Sequence, residues 1–343
     1  MRRSLPPKAA LNHAPEPISV VIAAKNEAQY LPRLLTSLAQ LLPIDAPYEI
    51  IIVNDHSTDD SMDILKNWDG QFNIRVRDYT EDTDGIIGKK AALQIGIDTA
   101  KYDILAFTDA DCILPETWLQ EISRQMSPQT DYILGYSTII PEVGESNLSL
   151  VNFERSIYYI LAGAGIYERK PITAMACNQV YRKTLFHKAG GFNGIGHLMS
   201  GDDDLLLMKM MPYVREAYYN PSPAMQVVSV EGKSITKLHN KNIRRASKFR
   251  YHPRYLKRLS AFMFCYFILF YAAIIMLVIG RGNLALLGIV ALKSIVELCI
   301  SQSHLVLVRK THLGILYFTQ IFVFPLQFIY YGIRGSIGSY KWK

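Results

Sequence analysis

The stretch Ile18-Ser19-Val20-Val21-Ile22-Ala23-Ala24-Lys25-Asn26-Glu27 decides the reading of the fold. Ile18–Ala23 is rich in Ile and Val and reads as a strand, and it ends abruptly in polar residues. Three further runs of the same kind follow at Glu49–Val53, Ile74–Asp78 and Ile104–Thr108. The segments between them, Ala28–Leu42, Ser61–Trp68 and Lys89–Thr99, have the spacing of amphipathic helices. This order predicts a βαβ series and a mostly parallel sheet, with ligands at the carboxyl ends of the strands. Polar clusters stand at three of those ends: Ala23–Glu27, Asn54–Asp59 and Thr108–Asp111. None has the glycine spacing of a dinucleotide fold or a P-loop, so phosphates must be held in another way, and a metal ion is the obvious candidate.

Outward from this stretch, the composition separates into three parts. The 343 residues are 50% hydrophobic and 20% charged, with a net charge of +7, which excludes a disordered or collagen-like chain. Residues 1–232 carry 20 Lys and Arg against 29 Asp and Glu, residues 233–258 carry 10 against none, and residues 259–343 carry 7 against 1. A nucleic-acid-binding protein would spread its positive charge over the folded domain, so that class is set aside. An acidic domain, a basic strip and a nearly acid-free apolar tail point instead to a membrane with anionic headgroups. Leu259–Gly280 and Leu313–Ile333 are uncharged and long enough to cross a hydrocarbon core, which takes about 20 helical residues. Leu284–Val308 is a third span, whose Lys293 and Glu297 lie one turn apart and can pair. The basic strip before the first span favours the cytoplasmic side, so residues 1–258 are expected in the cytoplasm, the Arg309–Lys310 loop inside and the C-terminus outside. Met1–Pro17 has no apolar core of a signal peptide and reads as an N-terminal extension. The expected division is therefore an extension at 1–17, an α/β domain at 18–232, a basic interfacial segment at 233–258 and membrane helices at 259–343. Cys112, Cys177, Cys265 and Cys299 form no Cys-x-x-Cys or Cys/His cluster, so each is read as a small buried hydrophobe.

Two groups of carboxylates could carry chemistry. Asp109 and Asp111 follow a strand at i, i+2, which in extended chain points both to one side; such hard oxygen ligands suit Mg²⁺ or Mn²⁺ bridging to substrate phosphates. Ser200-Gly201-Asp202-Asp203-Asp204 precedes the helix-like run Leu205–Met211. One of its acids would suffice to cap a helix, and three exceed that need. A carboxylate there, near a metal-bound diphosphate, can act as general base toward an acceptor hydroxyl.

Taken together and in this order, several motifs resemble a family 2 glycosyltransferase of the GT-A fold, from Ile18 to about Lys248. They are Val20–Glu27, Val53–Asp59, Gly88-Lys89-Lys90-Ala91-Ala92-Leu93, Asp109-Ala110-Asp111, Cys177–Arg182 and Gly201–Leu205. The resemblance implies a Rossmann-like nucleotide-diphospho-sugar transferase domain followed by a helical membrane region, as in membrane-bound bacterial members that build cell-surface glycans and glycolipids. It implies a nucleotide-sugar donor, with Ala24, Glu27 and Asp55 around base and ribose and Lys89 near the nucleotide. Asp109 would face the ribose and the metal, and Asp111 would hold a divalent cation, Mn²⁺ or Mg²⁺, on the diphosphate. Asn178, Tyr181 and Asp203 would lie on the acceptor side, with Tyr181 equally able to pack in the core. Lys90 is read as a solvated residue at a helix start.

The sequence also departs from the family pattern. The acidic motif of the family commonly begins with Glu-Asp; aligned on Asp204-Leu205, Asp202 takes the base position, Asp203 is the alternative, and Gly201 stands where the Glu would be. Processive synthases carry Gln-x-x-Arg-Trp on an interfacial helix, whereas Lys241–Lys248 keeps the Arg as Arg244 and lacks the Trp. Arg244 is a candidate for the diphosphate, with lipid headgroups as the competing use. The expectation is a metal-assisted, inverting transfer of one sugar from a nucleotide-sugar, probed first as a UDP-sugar, to a hydroxyl of a lipid or glycan acceptor. A processive synthase and a catalytically silent nucleotide-binding scaffold are the alternatives.

Overall fold

The strands run in chain order as β1 (Ile18–Ala24), β2 (Tyr48–Asp55), β3 (Ile74–Tyr79), β4 (Ile104–Asp109), β5 (Cys112–Ile113), β6 (Thr130–Gly135), β7 (Ser137–Pro141), β8 (Gln179–Arg182), β9 (Glu216–Asn220) and β10 (Val227–Glu231). The structure is a computed structural model and describes residues 13–68, 74–79, 85–142, 149–231 and 235–337. Residues 1–12 of the expected N-terminal extension, and 233–234 of the basic segment, lie outside the described residues. The strands form a seven-stranded sheet of order β3-β2-β1-β4-β8-β6-β9 and a three-stranded sheet of order β5-β10-β7. β1 pairs in parallel with β2 and β4, and β2 with β3, which is the βαβ series expected from the Ile- and Val-rich runs. β8 is antiparallel to both β4 and β6, so the sheet is mixed rather than wholly parallel.

The helices of this part are α1 (Leu31–Ala39), α2 (Ser61–Lys66), α3 (Lys89–Thr99), α4 (Trp118–Gln125), α5 (Ser149–Tyr167), α6 (Lys183–Lys188) and α7 (Asp204–Met210). β1 and β2 are buried over most of their length because helices cover both faces of a parallel sheet: Val20, Val21, Ile22, Ile51, Ile52 and Val53 are all 0% exposed. Each such side chain contributes about 1.5–3 kcal/mol by leaving water. α3 comes so close to β1 that a Cβ on Gly96 would meet Val21 Cγ1 at 2.5 Å. This close approach fixes the position of the N-terminus of α3 over the strand ends.

The described residues separate into two compact units, one within Met1–Asn147 and Leu161–Gly232, the other within Leu148–Ile160 and Lys233–Lys343. The stretch expected as one domain over 18–232 is thus interrupted, because Leu148–Ile160 packs with the C-terminal helices. Those helices are α8 (Ile235–Ser247), α9 (Arg254–Val278), α10 (Leu284–Leu307) and α11 (Tyr317–Ile337). Within this second unit Ser156 hydrogen-bonds His304 Nδ1 at 2.5 Å, and the Arg245 guanidinium lies 4.8 Å from the Tyr158 ring centroid. Three helical stretches, Arg254–Val278, Leu284–Leu307 and Thr311–Gly335, are long and apolar enough to cross a membrane. The first begins inside the basic strip. Lys293 and Glu297 pair at 2.9 Å as expected, and the Lys293 ammonium also sits 3.9 Å from the Phe270 ring centroid. Cys112 and Cys177 are buried as expected; Cys265 and Cys299 are a correction, exposed because they lie on the outer surface of the long apolar helices α9 and α10.

Candidate active site

The loops leaving β1 and β2 are laced together by short polar side chains. Asn26 and His56, one residue or two beyond their strands, both have left-handed backbone (φ 56° and 54°), a conformation that Asn and His enter more readily than most residues. Asn26 Oδ1 accepts from the Thr58 N–H at 2.7 Å, and the Asn26 N–H donates to Ser57 Oγ at 2.9 Å. The next two N–H groups, of Glu27 and Ala28, donate to Ser61 Oγ at 2.8 Å and Asp59 Oδ2 at 3.1 Å. These bonds hold Ala28–Tyr30 in a turn, which is why α1 begins at Leu31 and not at Ala28 as expected. Ala24 closes β1 opposite Asn54. Asp55 closes β2 as a buried carboxylate that takes His56 Nδ1 at 2.9 Å and pairs with Lys25 at 3.6 Å.

Asp109 is the last residue of β4, and Ala110–Asp111 forms a turn. The two carboxylates are therefore not set by the alternation of an extended strand, a correction to the expectation from their spacing. Asp111 Oδ2 accepts from Ser229 Oγ at 3.3 Å and Oδ1 from Cys112 Sγ at 3.4 Å. Both aspartates act on Glu27 nonetheless. Burial, followed by the charges of Asp111, Asp109 and Asp59, pushes the Glu27 carboxyl up to about 7.

Lys89, the first residue of α3, donates to Asp109 Oδ1 at 2.5 Å and stands 3.5 Å from Asp202 Oδ2. Burial works against its charge, but the carboxylates of Asp109, Asp202 and Asp203 outweigh it and hold the ammonium above its ordinary range. Asp202 keeps 13% of its side chain exposed. Asp203 caps α7 through the Asp204 N–H at 2.7 Å, and Asp204 is buried. Gly201 has φ +100°, and a Cβ there would meet Leu205 Cδ1 at 2.6 Å, so this loop conformation excludes the Glu of the family pattern.

Lys90 is not solvated, contrary to expectation. It is 2% exposed, and its ammonium donates to the Leu198 and Ser200 carbonyls, the second at 3.0 Å. The N-terminus of α3 thus holds the loop that carries Asp202 through one lysine and Asp202 itself through the next.

Lys89, Asp109 and Asp202 border a pocket whose other walls are Leu93, Phe107, Thr108, Ala176, Gln179 and Tyr181. Tyr181 lines it while stacked on Phe107, with ring centroids 4.5 Å apart; burial and Asp202 push its phenol up. Asn178 is a correction. It is 0% exposed, and its amide is taken up by Trp118 Nε1 at 3.0 Å and the carbonyls of Tyr136 and Met225 at 2.9 and 2.6 Å. Its position is structural. Sequence reasoning passed over Thr108 and Gln179 and read Lys90 as solvated, although each lies inside or beside a quoted motif, because nothing in a motif tells which polar side chains become buried. Arg244 belongs to the second unit, on α8, where its carbonyl accepts from Ser247 Oγ at 2.9 Å.

Among the described residues no three side chains of His, Cys, Asp or Glu gather in a way that could hold a metal ion. A magnesium- or manganese-type cation does not need three, since it usually keeps waters and takes one or two carboxylates together with substrate phosphates. Asp109 and Asp111 supply such a pair of hard oxygen donors, and the raised Glu27 beside them marks a place with excess negative charge. The donor set fits a divalent cation.

The family model of glycosyl transferase family 2 matches residues 19–190. The chain belongs to this family. Among relatives of the family 2 chain, the 4,4'-diaponeurosporenoate glycosyltransferase of Staphylococcus haemolyticus (strain JCSC1435) is 36% identical over 115 residues, 32% of this chain and 29% of that one. Its counterpart in Staphylococcus aureus (strain USA300) is 32% identical over 102 residues, 29% of this chain and 25% of that one. The match thus spans less than a third of each relative's length. The mannosyltransferase PcManGT of Pyrobaculum calidifontis, solved with GDP-Man and Mn²⁺, superposes with a TM-score of 0.52 at 18% identity, covering 91% of this chain and 90% of that one. That likeness shows the fold, the GT-A arrangement.

Proposed function

We propose that this family 2 chain moves a sugar from a nucleotide-sugar to a hydroxyl of a lipid or glycan acceptor at a membrane, by a single displacement that inverts the anomeric centre. The observation that carries this reading is Lys89 within reach of both Asp109 and Asp202 at the rim of one pocket. The expected diphosphate-side carboxylate and the expected base thereby flank a common space. Asp202, partly exposed, would take the proton of the acceptor hydroxyl; the hydroxyl oxygen would bond to the anomeric carbon as its bond to the diphosphate breaks, releasing the nucleoside diphosphate. Lys89 would hold the two carboxylates apart in charge and orient Asp202. Ala24, Glu27 and Asp55, at the ends of β1 and β2, would receive the base and ribose, and Arg244, in the basic strip, a lipid headgroup. A divalent cation held by Asp109 and Asp111 would offset the charge that grows on the leaving diphosphate.

The relatives named above are glycosyltransferases, and the mannosyltransferase was solved with GDP-Man and Mn²⁺, which supports a nucleotide-sugar donor and a cation. The three apolar helices and the ten basic residues of 233–258 support an acceptor at the inner membrane, with the catalytic unit on the cytoplasmic side. The missing Trp in Lys241–Lys248 favours one transfer over polymerisation. Release of nucleoside diphosphate from UDP- and GDP-sugars by the detergent-purified chain, with Mn²⁺ and membrane lipid, tests the reading. Asp202→Asn should lower turnover by about a hundredfold or more, in line with general-base loss; equal turnover in both proteins overturns the assignment, and a ladder of sugars on one acceptor overturns the single transfer.

A further inference from the structure

The two carboxylates offered to a divalent cation stand in different surroundings. Asp111 is met by neutral donors, Ser229 Oγ at 3.3 Å and Cys112 Sγ at 3.4 Å. Asp109 Oδ1 is instead taken by the Lys89 ammonium at 2.5 Å, and the same ammonium stands 3.5 Å from Asp202 Oδ2. Of the described residues that line the pocket, Lys89 alone is cationic. An ammonium and a divalent cation at one carboxylate oxygen repel each other across a few ångströms, so the two compete for Asp109. The ion pair is not locked in place. Its side chains keep 35% and 31% of their surface exposed, and a lysine carries its charge on a flexible four-carbon stem.

We propose that Lys89 competes with the divalent cation for Asp109 in the unloaded site and gives way when a nucleoside diphosphate arrives, so that the cation binds tightly only together with the nucleotide. This rests on the reading above of Asp109 and Asp111 as the cation's carboxylates and of a nucleotide-sugar as donor. The exchange balances in charge. In the unloaded site one ammonium serves the carboxylates of Asp109 and Asp202. A diphosphate brings acceptor oxygens of its own, which suit an ammonium as a compact point charge, and the oxygen that Lys89 leaves is then open to the cation. Coupling of this kind is reciprocal: whatever factor the nucleotide adds to cation affinity, the cation adds to nucleotide affinity. A site built in this way does not fill with cation ahead of its donor.

Binding of Mn²⁺ to the full chain in detergent, read from the loss of the free ion's electron paramagnetic resonance signal, tests this without turnover. It is measured alone and with saturating UDP or GDP. For the wild type, the nucleotide that binds should tighten Mn²⁺ by about tenfold or more, within the usual range of coupling between sites. Lys89→Met keeps the stem and removes the charge. It should bind Mn²⁺ alone about tenfold more tightly than the wild type, with the further gain from nucleotide reduced. Lys89→Arg, still a cation, should bind Mn²⁺ alone as weakly as the wild type does. Lys89→Gln serves if the melting curve shows that Lys89→Met fails to fold. Adding Asp109→Asn to Lys89→Met should abolish the gain. Equal binding of Mn²⁺ alone by the wild type and Lys89→Met overturns the proposal and leaves Lys89 as a fixed orienting group for Asp202. A gain that survives Asp109→Asn overturns it too, since the loss of one positive charge from an acidic domain would then be its cause. The levels separate: a wild type that takes up neither Mn²⁺ nor nucleotide sinks the donor and cation reading together with this proposal, whereas coupled uptake that Lys89→Met leaves unchanged sinks this proposal alone.

Discussion

Lys89 and Lys90 are neighbours at the start of α3, yet their ammonium groups meet opposite surroundings: the first faces carboxylates at the pocket rim, the second two main-chain carbonyls in the interior. Successive helical residues point about 100° apart, so one turns to the sheet edge and the other under the loop before Asp202. Lys90→Met keeps the apolar stem but strips the Leu198 and Ser200 carbonyls of a charged donor, a loss of about 1–3 kcal/mol. Tm should fall accordingly. Because the affected loop carries Asp202 and not the nucleotide contacts, kcat should drop at least about tenfold with KM for the donor changed little; steady-state kinetics with a fixed acceptor checks this, and a change confined to KM would contradict it. Gly201 makes the complementary point. Its positive φ and its contact with Leu205 leave no room for a side chain, so the departure from the family's Glu is part of how this loop is built.

At the scale of elements, β8 is the strand that turns a parallel half-sheet into a mixed one, and Arg182 at its end is what ties it down. Its guanidinium reaches Glu16 at 2.7 Å, Asp103 at 3.0 Å and the Thr130 and Ser127 carbonyls at 3.0 and 2.8 Å, with 7% of the side chain exposed. Asp131, 3.7 Å away, in turn takes Arg215 at 2.5 Å. The network binds the chain before β1, the turn before β4, the start of β6 and the approach to β9. Arg182→Met would strip the buried Thr130 carbonyl and the Ser127 carbonyl of a charged donor, while Glu16 and Asp103 stay partly exposed and Asp131 keeps Arg215, a loss of about 1–3 kcal/mol. Thermal or denaturant unfolding should register that loss, while UDP and GDP binding below the transition persists, since Arg182 does not line the pocket. Loss of UDP and GDP binding without loss of stability would assign Arg182 to the donor site instead. Lys293 and Glu297 on α10 pair in a helix long and apolar enough to cross a membrane: an i, i+4 pair lowers the penalty of two charges in an apolar segment.

For the whole molecule, the net charge of +7 conceals an acidic catalytic part, a strip of ten basic residues and a nearly acid-free tail. His252 stands in that strip, where burial and the cations Lys248 and Lys257 lower its imidazole to about 4 from an ordinary 6.5. The folded chain therefore binds fewer protons there than the unfolded chain does between those two values. The contribution of this group is complete above pH 6.5 and is lost as pH falls toward 4. His252→Gln should shrink the drop in Tm between pH 7 and pH 4.5 relative to the wild type; an identical drop would show that the imidazole is free to charge. The acidic part, the basic strip and the three long apolar helices were all legible in the sequence, because charge counts and apolar length depend on composition along the chain. So were β1 to β4 and the carboxylates at their ends, since a buried strand writes its apolar run in consecutive residues. Less was legible where partners lie far apart in sequence. The pairing of β8 with β4 and β6, the burial of Lys90 by a loop 108 residues on and the absorption of Asn178 into the core all arise from long-range contacts. Periodicity and motif report what a segment can become; which polar group is buried, and against what, is settled when distant segments meet and each donor must find an acceptor or go without.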